Sequence, residues 1–183
     1  MKIVENYIKD LKNTLDQINV EEIESIAKAF IHARDNNKQI LVFGNGGSGS
    51  TASHMVCDIL KGCSYEKESR FRILCLNDNI PTILAYGNDV SYDIVFLEQL
   101  KNYLQKGDLV VAISGSGNSK NIINAIEYAN EFGSTTIGFT GFNGGKLKQI
   151  ANLSFNANIN DMQISEDLHI IMLHILYKIL NKS

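Results

Sequence analysis

The chain has 183 residues, 44% hydrophobic and 20% charged, enough to bury one core without disulfide or metal staples. Its net charge of −3 is spread without a basic block, which argues against nucleic acid or an anionic membrane surface as a partner. Cys57, Cys63 and Cys75 lack zinc-ribbon spacing and read as reduced, mostly buried packing residues. Segment 1–18 alternates charge with apolar positions, unlike a signal peptide, and no apolar run nears the ~18 residues of a membrane span. A cytoplasmic protein is expected.

Val4, Ile8, Leu11, Leu15 and Ile18 recur at spacings of four and three, which predicts an amphipathic helix, followed by a second from Val20 to Asn36. So narrow a stripe suits packing on a partner subunit or on the next helix. Residues 1–37 thus form a helical segment ahead of an α/β core at 38–183, in a single domain. The core alternates: strand 39–43, helix 48–61, strand 71–76, helices 80–87 and 92–104, strand 109–113, helix 119–132, strand 135–139, helix 144–151, strand 153–157 and helix 164–181. Short β-branched runs separated by helices predict a parallel sheet covered on both faces, a three-layer α/β/α sandwich.

Two strand-to-helix junctions are rich in glycine and hydroxyls: Gly44-Asn45-Gly46-Gly47-Ser48-Gly49-Ser50 and Ser114-Gly115-Ser116-Gly117-Asn118-Ser119. Ligands of open α/β sheets sit beyond the carboxyl ends of the strands, where both junctions fall. Gly44, Gly46 and Gly49 satisfy G-x-G-x-x-G, but the acidic residue of a dinucleotide fold comes late, at Asp78. Ser114, Ser116 and Ser119 at a helix N-terminus suit a terminal monophosphate better than a pyrophosphate. The bland alternative makes Ser119 only an N-cap and the rest a tight turn.

His54 and Asp58, four residues apart, share a helix face, and Glu166, Asp167, His169 and His174 gather on the last helix. Five residues turn a helix by about 140°, so His169 and His174 cannot face one centre, and one of them is structural. Glu166 and His174 stand about 12 Å and about 80° apart on an ideal helix. They reach one ion only by leaning together or where the helix start is irregular.

These residues, together with Asn88-Asp89 and Thr140-Gly141, resemble the sugar isomerase (SIS) domain, and within it the phosphoheptose isomerases, over nearly the whole chain. The resemblance implies the three-layer α/β/α fold and a homotetramer with active sites at subunit interfaces. It also implies interconversion of sedoheptulose 7-phosphate with D-glycero-D-manno-heptose 7-phosphate through a cis-enediol, for surface-glycan heptose. The implied substrate contacts are Asn45, Gly46, Gly47, Ser48, His54, Asp58, Asn88, Asp89, Ser114, Gly115, Ser116, Ser119 and Glu166. The implied positions for one Zn²⁺ per subunit are His54, Asp58, Glu166 and His174, with Asp58 as base and His174 as its acid/base partner.

Three positions depart from that pattern: Asp58 stands where the family generally has Glu, Glu166 where it has Gln, and Gln163 where it often has Asp. The shorter base draws its carboxylate back by about 1.5 Å, against a contact of about 3.2 Å that proton abstraction needs. The added charge at Glu166 favours a divalent cation. A rival from another class is a non-catalytic sugar-phosphate sensor, or an SIS isomerase for another sugar phosphate. A sensor would keep the serine loop and dispense with the acid/base pair, yet no second domain is seen to read out a signal.

Overall fold

The computed structural model describes residues 1–183. Two helices, α1 (Lys2–Leu15) and α2 (Val20–Asp35), precede five strands, β1 (Gln39–Gly44), β2 (Arg72–Cys75), β3 (Leu109–Ser114), β4 (Thr135–Gly141) and β5 (Leu153–Ala157). The connections are α3 (Gly46–Gly62) after β1, α4 (Ile80–Asp89) and α5 (Val95–Tyr103) after β2, α6 (Lys120–Glu131) after β3 and α7 (Gly145–Ile150) after β4; α8 (Met162–Lys182) closes the chain. The strands pair in parallel in the order β2-β1-β3-β4-β5.

The period of two in β1 divides its side chains between the layers. Ile40 and Val42 enter one buried cluster with Phe30 of α2, Met55 of α3 and Met172 of α8. Leu41 and Phe43 enter the other with Phe96 of α5, Ile126 of α6 and Leu147 of α7. Each fully buried aliphatic side chain contributes about 1.5–3 kcal/mol, so the sheet is held from both faces. On α1, Tyr7, Leu11 and Leu15 lie on the first cluster, while Ile3, Val4 and Ile8 stay exposed.

Several boundaries differ from the sequence reading: α3 starts at Gly46 rather than 48, β4 runs to Gly141 rather than 139, and three further differences have a local cause. The Ser91 hydroxyl accepts from the Asp93 N–H, and 92–104 divides into a 3-10 turn, Tyr92–Ile94, and α5. Strand 71–76 shortens to Arg72–Cys75 because Leu76–Asp78 coils into another 3-10 turn. The last helix starts two residues early, at Met162, where the Asp161 side chain caps it by accepting from the Ile164 N–H at 3.0 Å. Of the cysteines, Cys63 and Cys75 are buried but Cys57 is exposed, so the packing role fails there. No helix is long and apolar enough to cross a membrane.

Candidate active site

Strand order reverses between β1 and β3: the connection through α3 leads to β2 on one side, and the next leads back across to β3. At such a switch point the two loops diverge and leave a crevice above the strand ends. Gly44 pairs with Ile113 in register, so the two glycine- and hydroxyl-rich loops adjoin.

Local chemistry fixes both loops. Asn77 clasps Gly44, accepting from its N–H at 3.1 Å and donating to its carbonyl at 2.7 Å. A Cβ on Gly44 would stand 2.7 Å from the Ser48 carbonyl and 2.8 Å from the Ile113 oxygen, so only glycine fits. Asn45 forms an amide pair with Asn121 at 2.9 Å and accepts from the Tyr92 hydroxyl at 3.0 Å, which ties the first loop to α6. In the second loop Gly117, at φ 64°, turns the chain so that its N–H donates to the Ser114 carbonyl. The Gly115 and Gly117 carbonyls then accept from the N–H groups of Gly141 and Leu147 at 2.8 and 2.9 Å.

Between the loops lies a cavity of about 140 Å³ lined by Asn45, Ser48, Ser114, Gly115, Ser116, Ser119 and, from α8, Met162 and Glu166. No lysine or arginine lines it. Its attraction for an anion rests on hydroxyls, an amide and the N-terminal ends of α3 and α6. Ser119 precedes α6, but its hydroxyl makes no capping bond, and neither does the Asn45 side chain ahead of α3. The Ser119 hydroxyl is therefore left for the cavity it lines, whereas the Asn45 amide is already engaged by Asn121 and Tyr92.

A second constellation sits where α3 packs on α8. Nε2 of His54 lies 3.4 Å and Nε2 of His174 lies 3.9 Å from the same oxygen, Oδ2 of Asp58, and the two rings meet edge to face with centroids 5.2 Å apart. The three side chains are part-exposed, and their donor atoms lie within 4.8 Å of one another. Two imidazoles and a carboxylate with an open side are the donor set of a catalytic zinc, so these residues fit that ion. Glu166 is not among the three. It lines the serine-loop cavity and also a cavity of about 430 Å³ reached by Tyr7, Gly47, His54, Gln163 and Asp167. The start of α8 is regular, which keeps Glu166 and His174 two turns apart.

His169 is the structural one of the pair on α8. It is buried against Phe139 and Phe155 with Nε2 3.0 Å from the Thr140 carbonyl, and burial pushes its pKa down to about 4. Asn88 and Asp89 end α4 and line neither of these two cavities in the single chain: both are exposed, Asn88 donates to Asp89 at 2.7 Å, and Asp89 borders a separate cavity with Thr82 and Tyr86. Sequence reasoning missed Asn77, Asn121, Tyr92 and Tyr7. Of these, Tyr7 reaches from α1 to donate to Asp167 at 2.6 Å, and this bond, ahead of desolvation, pushes the phenol up to about 12.

Residues 6–141 match the SIS domain. A probable phosphoheptose isomerase of Thermoplasma acidophilum is 36% identical over 170 residues, 93% of each chain. The structure superposes on a phosphoheptose isomerase from Francisella tularensis with a TM-score of 0.91 at 26% identity, covering 100% of this chain and 96% of that one. A phosphoheptose isomerase from Neisseria gonorrhoeae gives 0.90 at 26% identity, covering 100% and 98%. A chain alike over almost its full length, with both loops built at the switch point, belongs to the SIS domain family, among the phosphoheptose isomerases.

Proposed function

We propose that the protein is an aldose-ketose isomerase that interconverts sedoheptulose 7-phosphate and D-glycero-D-manno-heptose 7-phosphate through a cis-enediol, for surface-glycan heptose in the cytoplasm. The observation that carries this reading is a hydroxyl-lined cavity, whose one charged side chain is Glu166, beside the same α3 and α8 that carry the carboxylate and imidazole cluster, in a chain of this family. Ser114, Ser116 and Ser119 hold the phosphate, and Asn45 and Ser48 close the other wall. Anchoring a group that does not react lets its binding energy orient the reacting carbons.

His54, Asp58 and His174 hold a divalent ion, zinc by their donor chemistry. When bound, such an ion polarises the sugar's carbonyl and hydroxyl oxygens. Asp58 and His174 stand at the reacting end, where protons must move between adjacent carbons and between their oxygens. A non-catalytic sensor would need only the serine loop, so the convergence of Asp58 with two imidazoles favours catalysis.

The reading includes a homotetramer with sites at subunit interfaces. It is supported by α4, which buries none of its residues in the single chain and exposes Ile80 and Leu84 beside Asn88 and Asp89. A neighbouring subunit would cover this surface and bring those two side chains to a site. Incubating the protein with sedoheptulose 7-phosphate and following aldose formation tests the activity; Asp58→Asn is expected to lose at least about 100-fold in rate.

A further inference from the structure

The first loop offers the serine-loop cavity one side-chain amide, and the hydrogen bonds behind it fix what that amide can present. They start from the backbone: the Ile122 N–H donates to Oδ1 of Asn121 at 3.0 Å, which sets the orientation of that buried side chain. Nδ2 of Asn121 therefore donates to Oδ1 of Asn45 at 2.9 Å, and Nδ2 of Asn45 donates back to Oδ1 of Asn121 at 2.9 Å. The Tyr92 hydroxyl is a second donor to Oδ1 of Asn45, at 3.0 Å. An amide oxygen has two lone pairs, so both are taken, and the one group that Asn45 has left is its second N–H.

Tyr92 is held in place for this contact. Beside it, the Asp93 carbonyl accepts from Nδ2 of Asn124 on α6 at 2.9 Å, and the Ser91 hydroxyl accepts from the Asp93 N–H at 3.1 Å. The first bond ties the turn Tyr92–Ile94 to α6 and the second closes it. Tyr92 does not line the serine-loop cavity, so its link to that cavity runs through Asn45, which does. An anion there gains from an N–H and is repelled by a carbonyl oxygen. The one charged side chain on the lining is the carboxylate Glu166, so no cation masks the difference between the two faces of the amide.

We infer that Tyr92 is a positioning residue of this site: its hydroxyl keeps the Asn45 oxygen turned out of the cavity, so that the amide meets a bound phosphate as a donor and never as an acceptor. Without the hydroxyl, one lone pair of Asn45 is free and only the pairing with Asn121 resists rotation of the side chain.

The inference rests on the isomerase reading, which places the phosphate between the two loops, and its test is chosen to fail separately. Tyr92→Phe keeps the ring and removes the hydroxyl. Affinity for inorganic phosphate, measured by calorimetry, is expected to fall about 3–10-fold, with KM for sedoheptulose 7-phosphate rising by a similar factor and kcat staying within about two-fold. A hydroxyl with a purely structural role would instead lower the active fraction, and with it kcat, leaving KM and phosphate affinity in place. Because Tyr92 acts through Asn45, adding Y92F to Asn45→Ala should weaken phosphate binding no further. A Y92F protein that binds phosphate as the unsubstituted protein does, an equal loss in both backgrounds, or a loss that comes with a changed particle size in light scattering overturns the inference. An unsubstituted protein that binds phosphate but leaves the ketose unconverted overturns the isomerase reading alone, since the phosphate titrations still decide the role of Tyr92. One that binds no phosphate overturns both.

Discussion

His169 and His174 lie five residues apart on one helix and have opposite fates. Helix geometry says that only one can face a site, but choosing between them requires knowing which face meets the sheet. Phe139 and Phe155 decide it by enclosing His169, whose Nδ1 has no partner in the core. Burial lowers its pKa from the ordinary 6.5 to about 4, so as pH falls the unfolded chain takes the proton first. Its contribution to stability is therefore complete above about pH 6.5 and declines toward pH 4, by on the order of 3 kcal/mol. Urea unfolding at a series of pH values should show a shallower slope across that window for His169→Phe than for the unsubstituted protein; equal slopes would contradict the assignment. Cys57 teaches a similar lesson, since residue type favours burial but its position on α3 faces water.

At the scale of elements, the strands and helices were largely legible because hydrophobic period and glycine-rich junctions mark them in the chain itself. What was not legible depends on short-range competition, as where the Ser91 hydroxyl supplies a local partner that splits one helical stretch. Nor did the sequence reveal the clasp of Asn77 on Gly44, since the two are 33 residues apart and an asparagine announces no partner. That clasp and the backbone contacts at Gly44 give a prediction for the β1–α3 junction. Gly44→Ala would press a methyl carbon against the Ser48 and Ile113 backbones at 2.7 and 2.8 Å, neither of which is a movable side-chain end. A loss of about 1–3 kcal/mol is expected, together with weaker binding of inorganic phosphate. Thermal unfolding with and without phosphate measures both, and an unshifted pair of transitions would count against the built junction.

For the whole molecule, alternating strands and helices foretold a parallel sheet, but not the order β2-β1-β3-β4-β5 that sets the two loops side by side. Strand order arises from long-range pairing, which local patterns do not encode. The grouping of His54, Asp58 and His174 likewise needed α3 against α8, and the separation of Glu166 from it needed a regular start to α8. One subunit leaves Ile80 and Leu84 of α4 and Ile3, Val4 and Ile8 of α1 in water. Light scattering is expected to give a tetramer, with Leu84→Glu shifting it toward smaller species; a monomer at micromolar concentration would refute the assembly. The central claim is that a phosphate-anchoring crevice at the β1–β3 switch point serves proton transfer on a sugar. Its most direct test is proton NMR of sedoheptulose 7-phosphate incubated with the purified protein in D₂O. The account predicts aldose formation with deuterium entering at the carbons beside the carbonyl, both abolished with Ser114, Ser116 and Ser119 changed together to alanine. Unlabelled, unconverted ketose, or conversion that survives the loss of all three hydroxyls, would contradict it.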